Sequence, residues 1–201
     1  MTIKAVLWDL GNVLLDWQPA YLYRQHFDDE AEMERFLSEV CTMDWHSAHD
    51  RGVPMAENRI ALIEQYPHYE TQIRAWETGV ADMVSGAIPG TPEAMDALAE
   101  RGIPQYSLTN MPAEWIDWVV ESFAPMKHMR DIVVSAHEGV IKPDPKIYEI
   151  TVARLPHAPA EVLFFDDRLK NVEAARAHGF QAEQFLGGEK LHADLKAHGL
   201  L

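Results

Sequence analysis

A single cysteine, Cys41, stands in the 201-residue chain. No intrachain disulfide can form, and a reducing compartment suits that composition. Cys41 itself reads as a small buried hydrophobe. Basic residues are also scarce: 17 Lys and Arg face 32 Asp and Glu, a formal net charge of −15. Such a surface repels nucleic-acid phosphates and anionic lipid, so neither is expected as a partner. No run approaches the roughly 18 apolar residues of a membrane span. The first residues lack the basic region and unbroken apolar core of a secretion signal. A soluble, cytoplasmic protein is expected, with its oligomeric state open. The ten histidines fall at no close metal-ligand spacing. His46 and His49 lie near each other without an evident third ligand, which argues against zinc. No internal repeat or low-complexity segment is present.

What the chain does have is an apolar run that ends on a carboxylate. Ala5-Val6-Leu7-Trp8 leads into Asp9-Leu10-Gly11-Asn12-Val13. A short continuous apolar run reads as a buried strand. An ionised carboxylate at its end is costly unless a cation or N–H donors meet it. From about residue 19 to 85 the character changes. Met33, Phe36, Leu37 and Val40, then Ile60, Leu62 and Ile63, then Ile73, Trp76, Val80 and Val84, recur at helical spacing, and no strand pattern stands out. The spacing predicts an all-helical insertion. Gly86-Ala87-Ile88-Pro89-Gly90 is rich in breakers and reads as the return linker. Thr91 is expected to cap a helix with Pro92 at its first position.

Beyond this point strands and helices alternate. Strands are expected at 104–108, 131–134, 162–165 and 181–185. Helices are expected from Pro112, Pro145 and Leu169, and over 189–198. That order predicts an α/β fold, a Rossmann-like parallel sheet with helices on both faces. The core is assigned to 1–15 and 90–201, and the helical cap to 16–89. In such sheets ligands bind beyond the carboxyl ends of the strands. Asp9, Thr109-Asn110 and Asp166-Asp167 each fall at a predicted strand end. The fold would gather them at one edge.

Four motifs occur in this order: Asp9-Leu10-Gly11-Asn12-Val13, Leu108-Thr109-Asn110, Lys142-Pro143-Asp144-Pro145 with Tyr148, and Phe164-Phe165-Asp166-Asp167. The set resembles the haloacid dehalogenase (HAD) superfamily, whose C1 cap is inserted between the first and second motifs. The wording is most similar to small sugar-phosphate phosphatases whose first motif reads D-L-G-N-V. The resemblance implies a Mg²⁺-dependent phosphomonoester hydrolase acting on a small phosphorylated metabolite. Asp9 would attack phosphorus and form an aspartyl-phosphate, which water then hydrolyses. Asp9, the Gly11 carbonyl and Asp167 would hold Mg²⁺, with Asp166 as a further ligand or a supporting group. Thr109, Asn110 and Lys142 would hold phosphate, Lys142 also keeping Asp9 ionised. Two other readings stay open: a 2-haloacid dehalogenase-type hydrolase that needs no metal, and a non-catalytic binding protein that kept the fold.

One position departs from the pattern. Many phosphatases of the superfamily carry a second Asp two residues after the nucleophile, which protonates the leaving oxygen. Here that position is Gly11, read as a residue that gives a tight loop its conformational freedom. The general acid–base is therefore unassigned. Asp16, His46, His49 and Asp50 are the substitutes on offer. The stretch Trp45-His46-Ser47-Ala48-His49-Asp50-Arg51-Gly52 could line a substrate pocket, with Trp45 against a sugar and His46 or Arg51 on a hydroxyl or phosphate. It could equally be a helix end closed by Gly52.

Overall fold

The apolar run before Asp9 forms β1 (Ala5–Trp8), and every side chain in it is fully buried. The computed structural model describes residues 2–201. Successive side chains of a strand leave on opposite faces. Ala5 and Leu7 join one apolar cluster with Tyr148 and Phe164, while Val6 and Trp8 join another with Met95 and Phe165. A strand apolar on both faces belongs inside a covered parallel sheet.

After β1 come β2 (Leu15–Trp17), α1 (Pro19–Tyr23), α2 (Glu30–Arg35), α3 (Met43–Asp50), α4 (Met55–Gln65), α5 (Glu70–Thr78) and β3 (Val84–Ala87). The chain then returns through α6 (Thr91–Glu100), β4 (Gln105–Thr109), α7 (Ile116–Ser122), β5 (Met129–Val134) and α8 (Ser135–Glu138). It ends with α9 (Pro145–Arg154), β6 (Val162–Asp166), α10 (Leu169–Ala177), β7 (Gln181–Gln184) and α11 (Gly188–Ala197). No helix among the described residues is long and apolar enough to cross a membrane.

Five strands form one parallel sheet in the order β5-β4-β1-β6-β7. The chain runs from β1 out through β4 to β5, then crosses back to β6 on the other side of β1 and on to β7, so the order reverses beside β1. The crevice of an open α/β sheet lies at such a reversal. Register then sets the site. Trp8 pairs with Ser107 on β4 and with Phe165 on β6, and the Asp9 N–H donates to the Phe165 carbonyl at 2.9 Å. Asp9 therefore leaves the sheet level with Asp166 and next to Thr109. Beneath it, Trp8 Nε1 donates to Gln105 Oε1 at 3.0 Å, and Gln105 Nε2 donates to the Met95 carbonyl at 2.8 Å. The buried amide and indole are thus satisfied, which spares the core the roughly 1–3 kcal/mol that an unmet polar group costs.

The inserted segment packs around Tyr23, Phe36 and Trp76, all buried, with Tyr69 edge-on to Phe36. It has one addition that the sequence pattern did not reveal. β2 and β3 pair antiparallel at its base. Strands this short, interrupted by Asp16 and by Ser85-Gly86, carry too few alternations to read as period two. Two helix starts also differ from expectation. Gly90, at φ 91°, takes the cap position of α6, and the Thr91 hydroxyl instead donates to the Val13 carbonyl at 2.8 Å. α7 begins at Ile116, because the residues after Pro112 form a turn. Its first turn is therefore well removed from Asn110, and the expected helix start beside Thr109-Asn110 is not there.

Cap and core are tied in several places. Ser135 Oγ donates to the Asp50 carbonyl at 2.7 Å, the Met55 N–H donates to Glu114 Oε1 at 3.0 Å, and Trp115 Nε1 donates to the Glu77 carbonyl at 3.3 Å. At Gly52 the two backbones touch: φ is 88°, and an added Cβ would lie 2.5 Å from the Ala136 carbonyl oxygen. Gly52→Ala combines a left-handed backbone with that clash. It should lower unfolding free energy by about 1–3 kcal/mol, read as a fall in the urea midpoint at unchanged slope.

Candidate active site

Lys142 sits at the centre of the three strand ends. Its Nζ lies 2.8 Å from Asp9 Oδ2, 2.7 Å from Asp166 Oδ2 and 3.0 Å from the Leu108 carbonyl. An ammonium has three protons, and all three are used. The Phe164 ring adds a cation–π face 5.4 Å away. Burial alone would lower the Lys142 pKa, but Asp166 and Asp9 outweigh it and the ammonium is held above its usual range. Asn110 fixes the loop. Its Oδ1 accepts from the Lys142 N–H at 2.8 Å and its Nδ2 donates to the Lys142 carbonyl at 3.1 Å. Both residues were expected on phosphate. In the structure Lys142 spends its donors on carboxylates, and Asn110 keeps one amide proton free after clamping the lysine's backbone.

The two adjacent acids differ. Asp166 is fully buried and meets four donor contacts: the Arg168 N–H (2.9 Å) and Asn171 Nδ2 (2.9 Å) on Oδ1, and Lys142 Nζ (2.7 Å) and Asn171 Nδ2 (3.1 Å) on Oδ2. Its lone pairs are filled. Asp167 is half-buried and lines the cavity, and its carboxyl is raised by burial and by Asp166. Asp9 keeps spare acceptor capacity, since Oδ1 takes only the Leu10 N–H at 2.7 Å and Oδ2 only Lys142. Burial pushes the Asp9 carboxyl up to about 8, with Lys142 pulling down and Asp166 pushing up.

Carboxylate oxygens of Asp9, Asp166 and Asp167 lie within 4.8 Å of one another. Three acids thus share one ammonium. A hard divalent cation fits that imbalance and that donor set. Beside these acids, the buried Thr109 Oγ1 and Asn171 Oδ1 also lack a partner. Buried polar atoms are normally paired, so both are groups to which a ligand could bind. Asn171 was missed in the sequence. The signal was available in Asp167-Arg168-Leu169-Lys170-Asn171, because a residue in the first turn of α10 returns to the strand end.

Asp9, Lys142, Asp167 and Asn171 open onto a cavity of about 310 Å³, lined also by Gly11, Arg168 and Lys170 on that side and by the cap on the other, whereas Asp166 and Thr109 are buried and do not line it. From the cap, His46, Asp50 and Arg51 reach it, whereas Trp45 and His49 do not. Trp45 is packed edge-on against Trp76 and His49, and His49 meets Asn58 Nδ2 at 2.9 Å. Asp16 is also elsewhere, accepting from the Tyr21 and Ser85 hydroxyls at the β2–β3 base. Gly11 does not supply conformational freedom as expected. The left-handed residue of that loop is Asn12, at φ 57°, and a Cβ built on Gly11 meets nothing within 4 Å. Arg51 donates to the Ser47 hydroxyl and carbonyl at the exposed rim. His46 is stacked between Trp17 and Trp115, with centroids at 5.4 and 5.3 Å. Trp76 Nε1 donates to its Nδ1 at 3.0 Å, which leaves the proton on Nε2. Burial, aided by His49, lowers its pKa to about 3, so it is neutral.

Lys142→Met would leave the acids without their cation. Breaking a buried pair from one side costs about 3–5 kcal/mol, and that loss is expected at pH 8. The sign follows from Asp9, whose folded pKa lies above its unfolded one. Such a group is harmless below the carboxylate range and destabilises progressively as pH rises through its folded pKa. The deficit should therefore be smaller at pH 5 than at pH 8 in chemical denaturation.

The chain is similar to known proteins in sequence and in fold. Residues 3–179 match the haloacid dehalogenase-like hydrolase family. A sesquiterpene phosphatase, astK, of Aspergillus oryzae is 27% identical over 184 residues, covering 89% of this chain and 87% of that one. A phosphorylated carbohydrates phosphatase of Thermotoga maritima is 21% identical over 179 residues, covering 89% and 83%. The fold is similar to that of the HAD family enzyme bt-2542 of Bacteroides thetaiotaomicron, solved with magnesium and inorganic phosphate, at a TM-score of 0.69, 20% identity and coverage of 92% and 96%. With a family match over most of its length and a parallel sheet that brings all four motifs to one edge, the chain belongs to the haloacid dehalogenase-like hydrolases.

Proposed function

We propose that the protein is a Mg²⁺-dependent phosphomonoester hydrolase that works through an aspartyl-phosphate on Asp9. The observation that carries this reading is the cluster of three carboxylates beside one buried ammonium, with Asp9 and Asp167 facing the cavity. Asp9 has the spare lone pairs a nucleophile needs. Asp9, Asp167 and the Gly11 carbonyl would hold the ion, while Asp166, its lone pairs filled, holds Lys142 in place. Bound there, Mg²⁺ would offset the charge of the phosphate oxygens as one anion approaches another. Lys142 adds a fixed positive field, and Thr109 Oγ1 and the free amide proton of Asn110 are the donors left for phosphate oxygens.

The size of the cavity suits a small phosphate ester, and the relative named a phosphorylated carbohydrates phosphatase supports a sugar phosphate. A second substrate class has its own observation. Trp17, Trp115, Trp118 and Met43 line the cavity, a wall that suits an apolar leaving group, and one relative is named for a sesquiterpene phosphate. A panel of sugar phosphates and prenyl phosphates, assayed for phosphate release with and without Mg²⁺, separates the two.

Asp9→Asn should fold as the parent does and lose at least about 10³-fold in kcat, since the covalent route is closed. Phosphate release at near parental rate by that variant would end the mechanism. EDTA should stop turnover and Mg²⁺ should restore it. Dechlorination of haloacids that survives EDTA would instead favour the metal-free reading. Beryllofluoride should be trapped at Asp9 in the presence of Mg²⁺, and failure to trap it would favour a binding protein without catalysis.

A further inference from the structure

An ester oxygen that leaves phosphorus as an alkoxide needs a proton, and Gly11 offers none. Among the described residues, the carboxylates lining the cavity are Asp9, Asp44, Asp50 and Asp167. Asp9 and Asp167 are engaged in the reading above, and Asp44 is exposed at the rim. Asp50 is different. It is 8% exposed, it ends the cap helix α3, and its Oδ1 has no hydrogen-bond partner. His46 Nε2 is 3.5 Å from that oxygen, too distant and misaligned to satisfy it. The Asp50 backbone is held to the core, because its carbonyl accepts from Ser135 Oγ, which in turn accepts from the Met111 N–H at 3.0 Å.

We propose that Asp50, supplied by the cap, is the general acid–base of this active site in place of the side chain absent at Gly11. The proposal rests on the phosphatase reading. In the first half-reaction an Asp9 carboxylate oxygen bonds to phosphorus and the bond from phosphorus to the ester oxygen breaks. The Asp50 carboxyl gives its proton to that oxygen, so the alcohol leaves neutral. In the second half, the ionised Asp50 takes a proton from water as the water oxygen bonds to phosphorus and the bond from phosphorus to Asp9 breaks. Phosphate leaves, Asp9 is a carboxylate again, and Asp50 is protonated for the next cycle. The sum is ester plus water giving alcohol plus phosphate.

The surroundings suit both halves. Burial pushes the Asp50 carboxyl up to about 7, while Arg168, Arg51 and Lys142 restrain the rise. An acid with a pKa near the working pH both gives and regains a proton. Neutral His46, pinned by Trp76, faces it from its own helix with an N–H and no charge.

The test compares benzyl phosphate, whose alkoxide needs protonation, with p-nitrophenyl phosphate, whose phenolate does not. In single turnovers, Asp50→Asn should lose about 10²–10⁴-fold in the rate of benzyl alcohol release but less than about tenfold in the rate of p-nitrophenol release, while the hydrolysis of phospho-Asp9 that follows slows equally for both esters. The fall in wild-type kcat above neutral pH on benzyl phosphate should vanish in the variant. Gly11 has room for a side chain, so Gly11→Asp placed in Asp50→Asn should recover at least about tenfold on benzyl phosphate. Equal losses in the two release rates, with no recovery by Gly11→Asp, would assign Asp50 a structural role and overturn the proposal. Full activity of Asp50→Asn would do the same. If Asp50→Asn fails to melt cooperatively, Asp50→Ser takes its place under the same criteria. A wild-type protein that releases phosphate from neither ester, nor from any member of the sugar and prenyl panel, would overturn the phosphatase reading and this proposal with it. Wild-type turnover with an indifferent Asp50 variant overturns only the proposal.

Discussion

The structure depends on where one ammonium sits. Lys142 Nζ bridges Asp9 and Asp166 from within 3 Å of each and takes the Leu108 carbonyl as its third acceptor. Without it, β1 and β6 would bring two carboxylates side by side in an apolar sheet, where each unpaired charge is strongly disfavoured. With it, the pairing register that the hydrophobic pattern demands becomes compatible with acids at the strand ends. The Asn110 clamp and the Asp166–Asn171 contacts read as means of holding that cation at a fixed point. The excess of one further acid, Asp167, is what turns a structural ion cluster into a candidate site for a divalent ion.

Much of this was legible in the sequence because it is written in strong local signals. Apolar runs of four or five residues ending in Asp or Thr-Asn define buried strands, and alternation with amphipathic segments defines a parallel sheet. From these alone, the meeting of Asp9, Thr109 and Asp166 at one edge follows. Partnerships were not legible. Lys142 was expected beside Asp9, but nothing in Lys142-Pro143-Asp144-Pro145 says that the lysine also bridges to Asp166. The resemblance gave Asp166 and Asp167 different roles, but the four contacts that saturate Asp166 come from the strand's alternation and from α10, which the local sequence does not spell out. The β2–β3 pair escaped because its pairing is long-range and its strands are three and four residues long.

The loop after Asp9 shows how residue identity can mislead. A glycine beside a carboxylate invites a conformational explanation, yet the strained backbone belongs to Asn12, a residue type that tolerates the left-handed region. Asn12 also uses its side chain, whose Oδ1 accepts from the Trp17 N–H at 3.3 Å and so links the loop to the base of the cap. Gly11 contributes space. In a cavity bounded by Trp17, His46 and Trp115, that vacancy beside Asp9 is part of the open volume.

The contact at Gly52 carries a different meaning. Cap and core approach there through bare backbone, with no side chain between them. The closing distance of the lid is thereby set by main-chain atoms, which do not change when side chains do. The walls of the cavity are free to diverge, from tryptophan to leucine or from arginine to serine, while the ceiling stays at the same height above Asp9. A scaffold of this kind can change what it accepts without losing the gauge that brings its two halves together.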